Sequence, residues 1–352
     1  VNQFEYLRPR TIADAVAAAS QPGASYLAAG TNLLDLMKGG VSRPGTLVDV
    51  THIAGLDQIE TLPDGGLRIG AMVRNADLAN DPAFARRFPS VAEALLSGAS
   101  AQLRNAATVG GNLLQRTRCP YFYDVASACN KRQPGSGCDA IGGENRLHAV
   151  LGWSESCIAT NPSDFCVPLA ALDAVVETEG RSGRREIPLE SFHRLPGDRP
   201  DIETVLEPGE MILSVRLPAE AARFAANARY VKVRERTSYA FAVVSAAAAL
   251  TLDGGVIKQA RIALGGVAPK PWRAREAETV LAGVEPGPEA FRRAADAALT
   301  DAAPSGHNAF KIELARRIVA RALALAAAGT PDRVPALPAS PFAAAPGASL
   351  HV

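Results

Sequence analysis

Apolar and polar positions along the first hundred residues fall into short blocks whose period switches between that of a helix and that of a strand. Thr11 can cap the helix-period stretch TIADAVAAAS, SYLAAG reads as a short apolar strand, LLDLMKGG predicts a short helix ending at glycines, and TLVDV a further strand. Residues 51–103 continue in this way, with GLRIGAMV as a strand, RNADLAND as one short helix and PAFARRFPSVAEALLSGA as helical segments.

From 104 to 166 the period fails, and glycine, asparagine, proline and cysteine dominate. An ordered segment of that length without elements of its own predicts a binding role. Periodicity returns in VPLAALDAVVETEG, REIPLESF and MILSVRLP, a helix followed by strands. After PAEAARFAANA, the stretches YVKVRERTSYAFAVVSAAAALTLDGG and VIKQARIALGGV predict a strand, a helix or strand, and a hairpin turning at Asp253-Gly254-Gly255. AFKIELARRIVARALALAAAG predicts a long helix with an apolar stripe through Ile312, Leu314, Ile318 and Leu323, stopped by Gly329 and Pro331. The Pro/Ala-rich end, 331–352, reads as an extended tail lying along a partner subunit.

A length of 352 residues predicts two or three packed units. With 37 basic and 36 acidic side chains, the balance gives no support for nucleic acid or an anionic membrane as the main partner. No basic stretch leads into an apolar run near the N-terminus, and no later run reaches roughly eighteen apolar residues. The expectation is a subunit with no export signal of its own and no direct membrane insertion.

Two loops carry candidate chemistry. Ala28-Ala29-Gly30-Thr31-Asn32-Leu33 runs from a strand into a helix, where free amides can face an anion. Taken alone it also reads as an ordinary turn. Thr108-Val109-Gly110-Gly111-Asn112-Leu113 pairs glycines with hydroxyl and amide side chains, donors suited to phosphate or polyol oxygens. Neither loop is a dinucleotide fingerprint or a P-loop.

All five cysteines, Cys119, Cys129, Cys138, Cys157 and Cys166, lie within 48 consecutive residues. The first four are separated by nine, eight and eighteen residues, not the paired spacing of common zinc or ferredoxin sites. Four thiolates in a glycine-rich loop, with Arg116, Arg118, Lys131 and Arg132 to offset charge, suit an iron–sulfur cluster. Structural zinc and free thiols stay open on chemistry alone, whereas a disulfide framework would leave an odd thiol. The histidines His52, His148, His193, His307 and His351 form no metal spacing, and His148 reads as a surface group or a neighbour of a ligand.

AAGTNL and RNAATVGGNL, followed by NPSDFCVPLAALDA, GEMILSVRLP, YVKVRERTSYAFAVV and IALGGVAPKPWRA, resemble the FAD-binding subunit of the xanthine dehydrogenase and molybdenum hydroxylase family. The resemblance covers roughly residues 3 to 328, with its motifs in the family's order. It implies an α+β fold: a two-part FAD-binding domain of the molybdopterin dehydrogenase type over 1–222 (about 1–52 and 53–222), an inserted iron–sulfur loop at 116–160, and a smaller C-terminal α+β domain over 223–330.

By the same resemblance Ala28, Ala29, Gly30, Thr31, Asn32 and Leu33 form the first FAD loop, and Thr108, Gly110, Gly111 and Asn112 the second. Asp164 would accept from FAD hydroxyls, with helix capping as its plainer role, and Leu213 and Lys232 would lie beside the flavin ring. Ala29 departs from the family's second glycine, which predicts a cost if that position needs positive φ. A minority of the family carries a cysteine-rich loop here, so Cys119, Cys129, Cys138 and Cys157 are implied ligands of a [4Fe–4S] cluster, and Cys166 a surplus buried thiol.

The sequence is similar in this respect to the middle subunit of three-subunit periplasmic aldehyde oxidoreductases. That implies partners: a large subunit with a molybdenum cofactor and a small one with two [2Fe–2S] clusters. This chain would pass their electrons through FAD to an external acceptor, with no acid–base or nucleophilic residue of its own. Export folded with a partner would put it in the periplasm, and otherwise it would be cytoplasmic. Alternatives are a zinc-stapled assembly subunit, the FAD subunit of a xanthine or aromatic-CoA hydroxylase, and a free-standing oxidase of the vanillyl-alcohol type.

Overall fold

Thr11 starts the first helix as its sequence predicts: in extended backbone, its Oγ1 accepts the Asp14 N–H at 3.1 Å, and Ile12–Ala19 succeeds it. The structure is a computed structural model and describes residues 1–332. Most of the Pro/Ala-rich tail, and the expectation that it lies along a partner, fall outside the described residues. The strands β1 (Glu5–Leu7), β2 (Ala24–Leu27) and β3 (Thr46–Asp49) form a parallel sheet in the order β1-β3-β2. Ala15, Val16 and Ala19 of the helix pack into its core with Val48 and Val50.

A second sheet is antiparallel, from β4 (Ile59–Thr61), β5 (Leu67–Gly70), β6 (Val175–Gly180), β7 (Gly183–Pro188) and β8 (Met211–Leu217), in the order β4-β5-β8-β6-β7. Between β5 and β6 the chain makes one long excursion. It carries the helices Asn75–Asn80, Pro82–Arg87 and Pro89–Ser97, then the glycine- and cysteine-rich stretch, and returns through Cys166–Ala171. Phe84, Phe88, Val91, Leu95, Phe165 and Phe192 fill the core beneath this excursion.

The third sheet holds β9 (Ala228–Val233), β10 (Val244–Asp253), β11 (Val256–Gly265) and β12 (Trp272–Arg273), antiparallel in the order β12-β11-β10-β9. The β10–β11 turn needs positive φ at both central residues, and Gly254 (58°) and Gly255 (85°) supply it. The stretch whose pattern allows helix or strand is the strand β10. Its Ala246, Ala248 and Leu250 face the helices Arg275–Leu281, Pro288–Ala297 and Phe310–Ala327, while Ala247 and Ala249 join the core of the preceding domain. A strand buried on both faces shows no polar alternation, which is why its period is ambiguous.

The long helix departs from its predicted stripe. Its buried face is Lys311, Ala315, Ile318, Val319, Ala322, Leu323 and Ala326, with Ile312 and Leu314 only partly buried. Small residues let the helix approach the sheet closely, so alanine takes positions that an apolar count assigns to larger side chains. Among the described residues no helix is long and apolar enough to cross a membrane.

Candidate functional site

Between the two glycine loops lies a cavity of about 760 Å³. The first loop leaves β2 and turns at Gly30, whose φ of 74° is left-handed and whose Cβ, if present, would lie 2.7 Å from Leu34 Cδ1. Ala29 is not among the residues with positive φ, so alanine carries no left-handed strain there and the anticipated cost is absent. Thr31 and Asn32 reach the cavity wall, while Ala28, Ala29, Gly30 and Leu33 shape the turn behind it. Asn32 Oδ1 accepts the Arg116 N–H at 3.0 Å, which ties this loop to the end of the second, and its Nδ2 is buried without a protein partner.

In the second loop Thr108 is buried, and its hydroxyl caps the helix Val109–Leu113 by accepting the Gly111 N–H at 3.3 Å. Gly110 sits where the backbone crosses the end of β5. Its N–H donates to Ala71 O at 2.8 Å, and an added Cβ would lie 3.0 Å from Ala71 Cβ. Gly111 and Asn112 line the cavity. Asn112 Oδ1 accepts from Ser163 Oγ at 2.9 Å, joining the loop to the segment that carries Asp164.

Asp164 also lines the cavity, but it is not a cap: the helix Cys166–Ala171 receives its first side-chain bond from Ser163 Oγ, which accepts the Cys166 N–H at 3.2 Å. Instead the Asp164 carboxylate accepts from the Tyr230 hydroxyl at 2.6 Å on one oxygen and from Lys232 Nζ at 2.7 Å on the other. Tyr230 and Lys232 stand two apart on β9 and so share a face. Burial first, then the Asp164 charge, pushes the Tyr230 phenol well above its ordinary range, keeping it a donor. Lys232 lies behind the wall, holding Asp164 and Ser97 O (3.1 Å) together, and Leu213 packs into the core of the first unit.

Several wall residues carry no sequence signal of their own. Asn75 presents a buried Oδ1 without a partner, and Arg104 and Arg146 line the cavity, as does Arg118, already singled out beside the cysteines. Ala99, exposed on the wall, holds a left-handed φ of 50°, a conformation strained for alanine. Tyr239 and Phe241 stand exposed at the rim, with Arg118 4.7 Å from the Phe241 ring centroid. Tyr230 could have been found from Lys232 by the period of the strand.

The cysteine loop folds upon itself through backbone and short polar side chains. Cys129 and Cys138 face each other in an antiparallel bridge; Asn130 N–H donates to Gly137 O at 2.7 Å, and Cys129 N–H to Ser136 Oγ at 3.0 Å. Gly135 and Gly137 take positive φ to close this turn. Phe122 is fully buried against Leu36 and Cys129, an apolar anchor for the loop. All five cysteines are free thiols.

Four of them converge. Burial pushes the Cys119 thiol up to about 12, and the Cys129 and Cys157 thiols raise it further, against amide N–H donors of Phe122 and Tyr121 that lower it. Cys157 is likewise raised by burial and by Cys138 and Cys129, and lowered by Lys131 and the Ala159 N–H. Cys166 stands apart beside Ser163, fully buried and also pushed up to about 12. Of the basic groups expected to compensate charge, Arg116 and Lys131 pair with Glu203, and Arg132 is spent on the carbonyls of Tyr121, Phe122 and Ser127. Among the described residues no group of three or more His, Cys, Asp or Glu side chains is arranged to hold a single metal ion. His148 is buried, not a surface group. Its Nε2 lies 3.2 Å from Cys119 Sγ, and burial, with the Lys311 ammonium nearby, lowers its imidazole to about 4.

A two-part α+β domain with a cavity that both glycine loops line, backed by a smaller sheet-and-helix domain, is the architecture of a cofactor-binding protein. The chain belongs to the FAD-binding medium subunits of the molybdenum hydroxylases: residues 2–220 match the FAD binding domain in molybdopterin dehydrogenase, and 229–326 the CO dehydrogenase flavoprotein C-terminal domain. It is 50% identical over 327 residues to the aldehyde oxidoreductase FAD-binding subunit PaoB of Escherichia coli (strain K12), covering 92% of this chain and 98% of that protein. To the carbon monoxide dehydrogenase medium chain of Hydrogenophaga pseudoflava it is 30% identical, over 91% of this chain and 96% of that one. The solved carbon monoxide dehydrogenase of that organism, which lacks the Mo-pyranopterin moiety of the molybdenum cofactor, superposes with a TM-score of 0.73 at 29% identity, over 93% and 98% of the two chains. The reconstituted enzyme from Oligotropha carboxidovorans gives 0.74 at 26% identity, over 94% and 99%. The protein is thus an FAD-dependent oxidoreductase subunit of a molybdenum hydroxylase complex.

Proposed function

We propose that this chain is the electron-transfer subunit of a molybdenum-containing aldehyde oxidoreductase. It would hold FAD in the cavity and a [4Fe–4S] cluster on Cys119, Cys129, Cys138 and Cys157, and pass electrons from the large and small partner subunits to an external acceptor. One observation carries the reading: Cys119 belongs both to the group of converging thiols and to the wall of the cavity that Asn32, Asn112 and Asp164 line. Two redox groups held in this way are neighbours, as electron transfer requires.

The residues present fit both groups. For FAD, Asn32 Nδ2 and Asn75 Oδ1 are buried, unpartnered and on the wall, a donor and an acceptor waiting for a polar ligand. For the cluster, four thiols meet amide N–H donors aimed at the sulfurs of Cys119 and Cys157. A cluster separates its ligands more widely than one ion does, which suits thiols that converge without forming a single-ion site. When bound, FAD supplies the exchange between two-electron and one-electron steps and the cluster one-electron relay. The chain's own residues position the groups: Asn112 and Ser163 join the loops, Asp164 offers its remaining lone pairs, and Phe122 covers Cys129.

The aldehyde substrate rests on the 50% identity to an aldehyde oxidoreductase subunit. The test is metal, acid-labile sulfide and flavin analysis of the complex purified without air. One FAD, with about four irons and four sulfides beyond the small subunit's share, is the expected result. Zinc in place of the extra iron overturns the cluster assignment, and a complex without flavin overturns the cavity assignment.

A further inference from the structure

His148 stands where the cysteine group meets the cavity. Both it and Cys119 line the cavity wall, and 3.2 Å separates Nε2 from Cys119 Sγ. A thiolate bound to iron has no proton, so a hydrogen bond across this gap can run only from Nε2–H to sulfur. Nδ1 is buried without a partner. No protein acceptor is in reach of a proton on it, whereas Cys119 Sγ is in reach of one on Nε2, which favours the tautomer with the hydrogen on Nε2.

The backbone behind this ring is held from the other domain. Asn308 Nδ2 donates to His148 O and Ala149 O, each at 3.1 Å. Lys311, fully buried at the start of the long helix, donates to Leu147 O at 2.9 Å, His148 O at 2.8 Å and Gly266 O at 2.6 Å, filling its three N–H donors. Ser305 Oγ adds a bond to Ala149 O at 2.7 Å. Three consecutive carbonyls, Leu147 to Ala149, are therefore gripped by the C-terminal domain, which fixes the backbone that carries the imidazole beside Cys119.

We propose that His148 is a positioning residue that raises the reduction potential of the iron–sulfur group by donating a hydrogen bond from Nε2 to Cys119 Sγ, held there by Asn308 and Lys311. This rests on the reading that the four thiols bind a cluster. A donated N–H bond stabilises the sulfur more when the group carries its extra electron, so it favours the reduced state. Cys119 is the ligand on the cavity wall, so the bond acts on the side of the cluster that faces the flavin.

The experiment is an EPR-monitored redox titration of the whole complex, following the signal that Cys129→Ser abolishes. His148→Phe is expected to keep its iron, sulfide and FAD but to lower the midpoint, by about 59 mV for a tenfold shift in a one-electron equilibrium. His148→Gln, which can still donate, recovers most of the difference, and Asn308→Ala lowers the midpoint by less than His148→Phe. Wild-type complex without the extra iron overturns the cluster reading and this inference with it. With the iron present, a midpoint unchanged in His148→Phe, or moved equally in both His148 variants, overturns the inference alone. Loss of iron from both variants also overturns it, since the histidine would then serve only to build the loop.

Discussion

Lys232 Nζ lies 2.7 Å from Asp164 Oδ2, and both side chains are almost fully buried. The pair joins β9 of the C-terminal domain to the cavity wall of the first, so the wall and the domain packing share one ion pair. Lys232→Met leaves the carboxylate with the Tyr230 hydroxyl alone. Breaking one side of a buried pair costs about 3–5 kcal/mol. The expected outcome is a lower unfolding temperature and a reduced flavin-to-protein ratio. Replacing both partners, Lys232→Met with Asp164→Leu, should restore much of the stability but not the flavin. Calorimetry and flavin absorbance on the same samples separate the two effects.

Gly30→Ala meets two obstacles, the left-handed φ of 74° and the Leu34 side chain 2.7 Å from the new methyl. The backbone alone costs about 1–2 kcal/mol. Adding Leu34→Ala removes the clash but not the backbone strain, so the double variant should recover only part of the flavin lost by the single one. Ala29→Gly, at a residue without positive φ, should change stability by no more than about 1 kcal/mol. Flavin occupancy after gel filtration checks the first two, and thermal unfolding the third.

Glu203 links the cysteine loop to the chain beyond it through Arg116 and Lys131, the latter at 2.9 Å. Burial alone would raise its carboxyl, but Lys131 and Arg116 hold it below its ordinary 4.5. A pKa depressed by folding gives stability that is complete above the unfolded value and is lost as pH falls through the folded one. The gap in unfolding temperature between wild type and Glu203→Gln should therefore be widest near neutrality and shrink below about pH 4.5. A gap independent of pH would remove the ion pair as its cause.

Cys166 is fully buried, with its thiol pushed up to about 12, apart from the four that converge. Native protein should resist alkylation there at pH about 8, where the thiolate fraction is small. Cys166→Ala should keep the full iron and sulfide content, whereas Cys129→Ser should lose it. Mass mapping of alkylated peptides, with iron analysis, provides the check.

The caps and turns were legible because they depend on a few neighbouring residues. Thr11 begins a helix, Gly254 and Gly255 turn a hairpin, Gly30 stands at a strand-to-helix junction, and Gly111 lies in the short helix that Thr108 caps. Thr31, Asn32, Gly111, Asn112 and Asp164 come together on one wall. Thr108, Gly110 and Lys232 stand behind that wall, and Leu213 is partly buried against a core, because a motif marks a stretch of chain without saying which of its side chains turn toward the ligand.

Local chemistry therefore settled where helices, turns and reactive side chains begin and end, since a cap hydroxyl, a positive φ or a thiol is a property of one residue and its neighbours. Long-range packing alone decided the rest. The strand β10 is read correctly only once both its faces are buried. His148 lies against Cys119 on a stretch whose carbonyls Asn308 and Lys311, some 160 residues further along the chain, hold. Such contacts depend on which surfaces the folded domains bring together, and no window of neighbouring residues contains that information.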